Sequence, residues 1–277
     1  SIHDLKSNTA YALDSRQTLD AEGKTRVDLY ADQVVDLSEM IRSLNVKYLA
    51  ADSYYSKVKF VSKVLDSGLH LVGKLRIDAD LKWLHKGEYQ GRGRPKQFDG
   101  KVDVEAEQDR FEHMGTLEKQ VNVYSEIVWS KNLKCNIRVV MLTWDQSGKI
   151  GRALFYSTDT ELDPMKVIEY YRSRFQIEFL FRDAKQYTGL TNCQSPRSSA
   201  INMQVNASLS ALNVLKIEDR ESKETENQTV ISIASWKRRK FNQHLMKRLF
   251  TALGLELNCK KVRAVYEAYS HYGEIAS

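Results

Sequence analysis

Residues 30–75 constrain the fold more tightly than any other part of the chain. Tyr30, Val34, Leu37, Ile41 and Leu44 recur at spacings of four, three, four and three. That periodicity predicts an amphipathic helix of about five turns. Residues 46–51 form a short, mostly apolar run ending at Asp52, the length of a buried strand. Val58, Val61, Val64 and Leu65 share one face of a second helix, which Gly68 ends, and residues 69–75 read as another strand. Strand, helix, strand in so short a space implies parallel pairing with helices packed on a sheet. Residues 11–17 read as a further short strand ahead of the first helix.

The period then changes. Residues 77–108 are polar and Gly-rich, whereas 121–129, 137–144 and 152–157 are rich in β-branched and aromatic residues. Asp145-Gln-Ser-Gly148 suits a hairpin turn between the last two. The middle of the chain thus reads as antiparallel β structure inserted into an α/β domain. Helix returns at 163–189, where Asp163 suits the cap, Pro164 the first helical position and Gly189 the residue past the end. A second helix is expected over 196–217, with Ile201, Val205, Leu209 and Leu212 facing inward. Residues 218–229 read as a polar loop, and Trp236, Leu245, Leu249 and Leu253 as an apolar stripe beyond it.

On the expected 163–189 helix, Tyr171, Arg174, Glu178 and Lys185 stand at i, i+3, i+7 and i+14. At about 100° per residue they share one stripe about 60° wide. Phe175, Phe179, Leu180 and Phe181 surround that stripe, so the helix is expected to be largely buried. A buried carboxylate needs an ionic partner or a metal. Two readings follow: a structural network pairing Arg174 with Glu178, or a functional site. Asp52 has two readings as well. It ends a strand where ligands collect in open α/β sheets, or it merely caps the helix that follows.

The chain carries a net charge of +6 at neutral pH. Between residues 235 and 264, nine Lys/Arg stand against one acid, Glu256, so this segment holds +8 and the rest of the chain sums to −2. A basic excess confined to one segment points to a polyanion partner; the alternative is a solvated helix face. With 42% hydrophobic and 28% charged residues, a packed core is expected. No apolar run approaches bilayer-spanning length and no secretory leader is visible. Cys135, Cys193 and Cys259 make neither a metal-spaced pair nor a disulfide framework, which fits a reducing cytoplasm. His3, His70, His85, His113, His244 and His271 show no ligand spacing and read as ordinary surface or core residues.

The spacing Tyr171-x2-Arg174-x3-Glu178-x6-Lys185 resembles, at all four positions, the C-terminal signature of a large group of bacterial insertion-sequence transposases with a DDE catalytic domain. The stretch YLAADSYYSK at 48–57 resembles the segment around that group's second catalytic Asp. The stretches GKLRIDAD at 73–80 and GRGRPK at 91–96 also have the look of the group. The resemblance runs from near residue 10 to about residue 218. The group's β insertion lies between the second Asp and the Glu; here Glu178 follows Asp52 by 126 positions, and the β-rich stretch falls between them.

The resemblance implies an α/β fold: an RNase-H-like mixed sheet with flanking helices, interrupted by a β-rich insertion, with a helical C-terminal region. Residues 1–76 would be the first part of the catalytic domain, 77–157 the insertion, 158–218 the helices carrying the signature, and 219–277 a basic helical region. It further implies a DNA transposase that cleaves transposon ends and transfers strands. Asp52 and Glu178 would ligate two Mg2+ or Mn2+ ions that clamp the attacking and leaving oxygens of a phosphodiester displacement. Arg174 and Tyr171 would contact phosphate near the cut, and Lys185 the transposon-end strand. The partners would be double-stranded DNA and a second copy of the chain, in the cytoplasm at the nucleoid, with no membrane. The group's first Asp has no clear place here. Residues 11–17 read as the third strand, which leaves Asp14 too close to the helix, and no apolar run precedes Asp4. The chain is therefore expected to begin after strand one and to be inactive alone. A non-catalytic DNA-binding remnant and an RNase-H-like nuclease without strand transfer remain as alternatives.

Three further features have DNA-binding readings. Trp129 and Trp144 would either stack a flipped base or pack the β insertion. Arg92 and Arg94, in Arg92-Gly-Arg-Pro95, resemble the core of minor-groove AT-hook peptides, against a plain basic turn. Lys237, Arg238, Arg239 and Lys240 are the phosphate candidates, against a solvated helix end.

Overall fold

The computed structural model describes residues 1–19, 22–89, 91, 93–221 and 231–274. The chain separates into two compact units, one of residues 18–174 and one of residues 1–17 with 175–277.

The 18–174 unit is a mixed α/β structure. Helix α1 (Arg26–Ser43) starts at a reciprocal cap in which Thr25 and Asp28 each accept from the other's backbone N–H. Strand β3 (Tyr48–Ala50), helix α2 (Val58–Asp66) and strand β4 (His70–Leu75) follow, and β3 and β4 pair in parallel. Strands β8 (Val121–Ser130), β9 (Cys135–Gln146) and β10 (Lys149–Ser157) form an antiparallel meander. The expected turn joins β9 to β10: Ser147 and Gly148 both have positive φ, and Asp145 Oδ1 accepts from Gly148 N–H at 2.8 Å. Strand β10 also pairs with β4, so the β-rich stretch continues the sheet of β3 and β4. The sheet order is β3-β4-β10-β9-β8-β5-β6, with β7 (Glu112–Leu117) also on β8. Strands β5 (Leu81–Leu84) and β6 (Phe98–Lys101) lie in the stretch that composition marks only as polar.

Two-residue alternation sorts this sheet's side chains into two layers. Leu71, Val139, Met141, Leu154 and Tyr156 pack with Val27 and Ala31 of α1 and Phe60, Val61 and Val64 of α2. Val72, Val140 and Leu142 pack instead with Val167 and Ile168 of helix α3 (Pro164–Ser173). Because both faces are covered, β9 reads as a continuous apolar run rather than an alternating one. Opposite Tyr156 the β4 partner is Gly73, where an added Cβ would stand 2.7 Å from the tyrosine ring. Glycine is required there by close approach, not by backbone conformation.

Among the described residues, the other unit contains a small hairpin and four helices. Strands β1 (Ile2–Asp4) and β2 (Thr9–Tyr11) pair antiparallel. The helices are α4 (Gln176–Tyr187), α5 (Ser198–Glu221), α6 (Ile233–Ala252) and α7 (Lys260–Ser270). Ala10, Leu180, Ala184, Leu209, Leu212, Ile231 and Ile233 form its core. Helix α5 extends to Glu221, past the expected end at 217; the remainder of the expected 218–229 loop lies outside the described residues.

Residues 12–17 are not the expected strand. Their backbone groups bond to side chains of α5 instead of a neighbouring strand. Asn213 Oδ1 accepts from Ala12 N–H at 2.9 Å while its Nδ2 donates to Ala12 O at 2.8 Å. Asn206 Nδ2 donates to Ser15 O at 3.0 Å, and Lys216 Nζ donates to Ala10 O at 2.8 Å. Asn206, Asn213 and Lys216 share one face of α5, so a helix supplies here what a strand supplies elsewhere.

The expected apolar stripe on α6 does not face inward. Leu245, Leu249 and Leu253 are more than half exposed, and the buried residues are Ile233, Arg239 and Phe250. Arg239 sets the helix's rotation: its guanidinium pairs with buried Asp219 of α5 at 2.8 Å.

Candidate functional site

Asp52 follows β3 directly, at the carboxyl end of the parallel β3–β4 pair. Ala51 N–H still donates to Val72 O at 3.0 Å, so the ladder fixes the backbone up to this residue. The half-buried Asp52 side chain caps a short 3-10 turn, Ser53–Tyr55, by accepting from Tyr54 N–H at 2.9 Å through Oδ1. Its capping role is therefore real, though it caps this turn and not α2, whose own N-cap is Lys57. Among the described residues its Oδ2 has no hydrogen-bond partner, so the carboxylate keeps acceptor capacity.

The single helix expected over 163–189 is two helices. Asp163 Oδ1 accepts from Met165 and Lys166 N–H, and Pro164 opens α3 as expected. Helix α3 ends at Ser173, α4 begins at Gln176, and Arg174 and Phe175 lie between them with right-handed φ/ψ. Arg174 N–H bonds to Tyr171 O and Glu178 N–H to Phe175 O, three residues back instead of four. Such tightening has about three residues per turn, so a stripe drawn at 100° per residue does not carry through it. The division between the two compact units falls at the same place. Tyr171 and Arg174 thus belong to one unit, Glu178 and Lys185 to the other.

Within its unit, Tyr171 packs on Phe155 with ring centroids 4.7 Å apart, and the Arg174 guanidinium lies 5.7 Å from the Tyr171 ring. On α4, Glu178 and Lys185 are both exposed, seven residues apart on one face. The expectation of a largely buried helix fails here. Phe175, Phe179 and Phe181 are 51, 44 and 40% exposed, and α4 buries only Leu180, Asp183 and Ala184. An exposed Glu178 carries no desolvation cost that would demand an ionic partner.

The expected phosphate cluster divides. Lys237 and Arg238 are exposed, whereas Arg239 is buried against Asp219 and, at 3.7 Å, Glu274. Arg239 is therefore an internal ion-pair residue and not a phosphate contact. Lys240 pairs with Glu218, and Arg238 donates to Gly273 O. Arg94 is exposed in a turn; Arg92 lies outside the described residues. Trp129 packs at 5.7 Å from Phe98, and Trp144 lies across Gly151, so both half-buried rings pack the sheet. Asp4 ends β1, a strand that the sequence did not suggest. Burial pushes its carboxyl pKa up, but hydrogen bonds from Ser7 and Lys6 outweigh that and hold it below the ordinary range. Asp14 pairs with Arg16 at 2.8 Å.

One feature escaped sequence reasoning. A cavity of about 960 Å3 opens at Ser53, the residue after Asp52, and Lys74, Arg76, Lys101 and Arg152 line it. Lys74 and Arg76 sit in the GKLRIDAD stretch; nothing local to Lys101 or Arg152 joins them to it.

A family model described as a transposase DDE domain matches residues 1–214, more than half of the chain. The chain belongs to the DDE transposase family. Among curated proteins none gives a significant match. Transposases act on DNA, and members of this family generally use divalent metal ions. In this transposase domain no group of three His, Cys, Asp or Glu stands together among the described residues. Asp52 and Glu178 nevertheless fit such ions in kind: both are carboxylates, the hard donors that Mg2+ and Mn2+ select, and Asp52 retains an unengaged oxygen. Among the described residues no helix is long and apolar enough to cross a membrane.

Proposed function

We propose that this chain contributes Asp52 and Glu178, as two metal-ligating carboxylates, to the end-cleavage and strand-transfer chemistry of an RNase-H-like transposase. The observation that carries the proposal is Asp52 at the carboxyl end of a parallel strand pair, where α/β sheets place their ligands. The Tyr171–Arg174–Glu178–Lys185 spacing and the family match support it. Bound divalent ions supply Lewis-acid stabilisation of the attacking and leaving oxygens. Asp52, held by the β3 ladder and the Tyr54 N–H, presents its Oδ2 at a fixed position. Arg174 offers a planar fork for two oxygens of one phosphate, oriented by the Tyr171 ring. Lys185 holds the transposon-end strand as a point charge. Water first displaces the 3′ oxygen from phosphorus, releasing a 3′-hydroxyl. That hydroxyl then attacks a target phosphodiester, joining the strands and releasing a target 3′-hydroxyl.

The reading assigns two carboxylates, and the chemistry needs a third. Asp4 and Asp14 are engaged locally and receive no assignment. We therefore expect the 277 residues alone to leave a duplex bearing a matching terminal repeat uncut in manganese. Robust cleavage by this chain would overturn that expectation. Metal placement is tested independently by iron-mediated backbone cleavage. Cuts near 52 and 178 that disappear in Asp52→Asn and Glu178→Gln support the assignment; cuts elsewhere, or none, refute it. Substrate DNA, a second copy of the chain and a nucleoid location belong to the same proposal. Sedimentation of the chain with end DNA, expected to give two protomers per complex, tests the second.

A further inference from the structure

The cavity at Ser53 has a composition that the two-carboxylate reading does not use. Three of its cations come from separated places in the sequence: Lys74 from β4, Lys101 from the end of β6 and Arg152 from β10. The sheet alone brings them together. Of its three acids, Asp78 and Asp103 are engaged locally and Glu105 is largely exposed. Asp78 binds Arg76 through two hydrogen bonds, at 2.8 and 3.0 Å. Asp103 accepts from the backbone N–H groups of Glu105 and Ala106, both at 3.0 Å. Lys74 and Lys101 make no ion pair among the described residues. The Arg152 side chain is only 15% exposed, and its nearest acid, Glu105, is 3.8 Å away, too far for a hydrogen bond. Its buried Nε has no acceptor among the described residues. A guanidinium held inside a fold with so little of its donor capacity engaged is costly unless an anion completes it.

We propose that this cavity is a phosphate cradle for a DNA strand, in which Lys74, Lys101 and Arg152 bind backbone phosphates next to the bond presented at Asp52. Naming DNA as the polyanion rests on the function proposed above; the anion preference rests on the cavity itself. An open cleft with cations on three strands suits a repeating backbone better than a single small ligand.

The test is binding of a fluorescent duplex to the full chain in EDTA, followed as salt is raised. Each lost phosphate contact should lower the log–log salt slope by about 0.9 and the affinity about fivefold to tenfold at 0.1 M salt. Lys74→Ala and Lys101→Ala should each do so, and their double variant should lose close to twice the slope. Arg152→Gln should lose more affinity than Arg152→Lys, and Lys47→Ala, at the opposite end of β3, should lose none. Unchanged slopes in variants that keep the parent circular dichroism would overturn the cradle. Iron mapping that fails at 52 and 178 while the cradle variants lose slope sinks the catalytic reading alone; the reverse pattern sinks the cradle alone.

Discussion

The two compact units reach stability by different means. In the 18–174 unit a single sheet supplies nearly all backbone pairing, and apolar side chains fill both faces. In the other unit the N-terminal segment and the helices are joined by polar side chains: Asn206, Asn213 and Lys216 on backbone groups, and Arg239 on Asp219. Apolar packing is non-directional and tolerates repacking, whereas buried polar networks lose much when one member is removed. The family's signature residues straddle this contrast. Tyr171 and Arg174 stand on the sheet unit, and Glu178 and Lys185 on α4, which packs through Leu180 and Ala184 into the other unit's small core.

Four substitutions test the contrast. The largest loss is expected for Asp219→Ala, which strips a buried guanidinium of its nearest partner and should cost about 3 kcal/mol or more. Hydrogen exchange should rise along α5, α6 and residues 9–15 and stay unchanged in β8–β10; equal loosening of the sheet would erase the distinction. Leu154→Ala, at a fully buried sheet position, should cost about 2–5 kcal/mol by chemical denaturation, with the exchange pattern reversed. Asn213→Ala removes two hydrogen bonds to Ala12 and should cost about 1–2 kcal/mol. Its signature is faster proteolysis near residue 12, and an unaltered digestion rate there would show that the helix face does not hold the segment.

The smallest effect concerns acid. Glu107 accepts from Trp83 Nε1–H, from Asp103 N–H and from Arg110, and these bonds hold its carboxyl pKa at about 2, against an ordinary value of 4.5. Between those values the unfolded chain binds more protons than the folded one. Glu107's contribution is therefore complete above pH 4.5 and is lost as pH falls toward 2. Thermal melts of Glu107→Gln should show a shallower decline across that window than the parent. Parallel curves would remove Glu107 from the acid response.

Legibility in the sequence followed the same contrast. Helices α1 and α2 and strands β3, β4, β8, β9 and β10 were readable because apolar periodicity at 3.6 or 2, or a buried run, is a local signal. Strand β6, reading FDGK and largely exposed, carries no such signal, and β1 is only three residues long. The interruption at Arg174 and Phe175 was invisible because both residues are compatible with helix and adopt helical angles. The place of Asp52 after a strand was readable from the run before it. The inward turn of Arg239 was not, because its partner Asp219 lies on a different helix, and the positive charge that suggested DNA also suits an internal pair. The cavity at Ser53 was hidden for a related reason: Lys101 and Arg152 join Lys74 only through sheet order.

The bonds from α5 to residues 9–15 also bear on how the protein is made. Synthesis proceeds from the N-terminus, and compact units fold as their sequences emerge. Everything in the 18–174 unit is translated before any residue of α5. Residues 10–15 are made before the sheet, yet they find their partners Asn206, Asn213 and Lys216 only after the whole sheet has been translated. A segment made before the sheet is thus among the last to settle, and a ribosome that stalls before α5 leaves residues 10–15 without these partners.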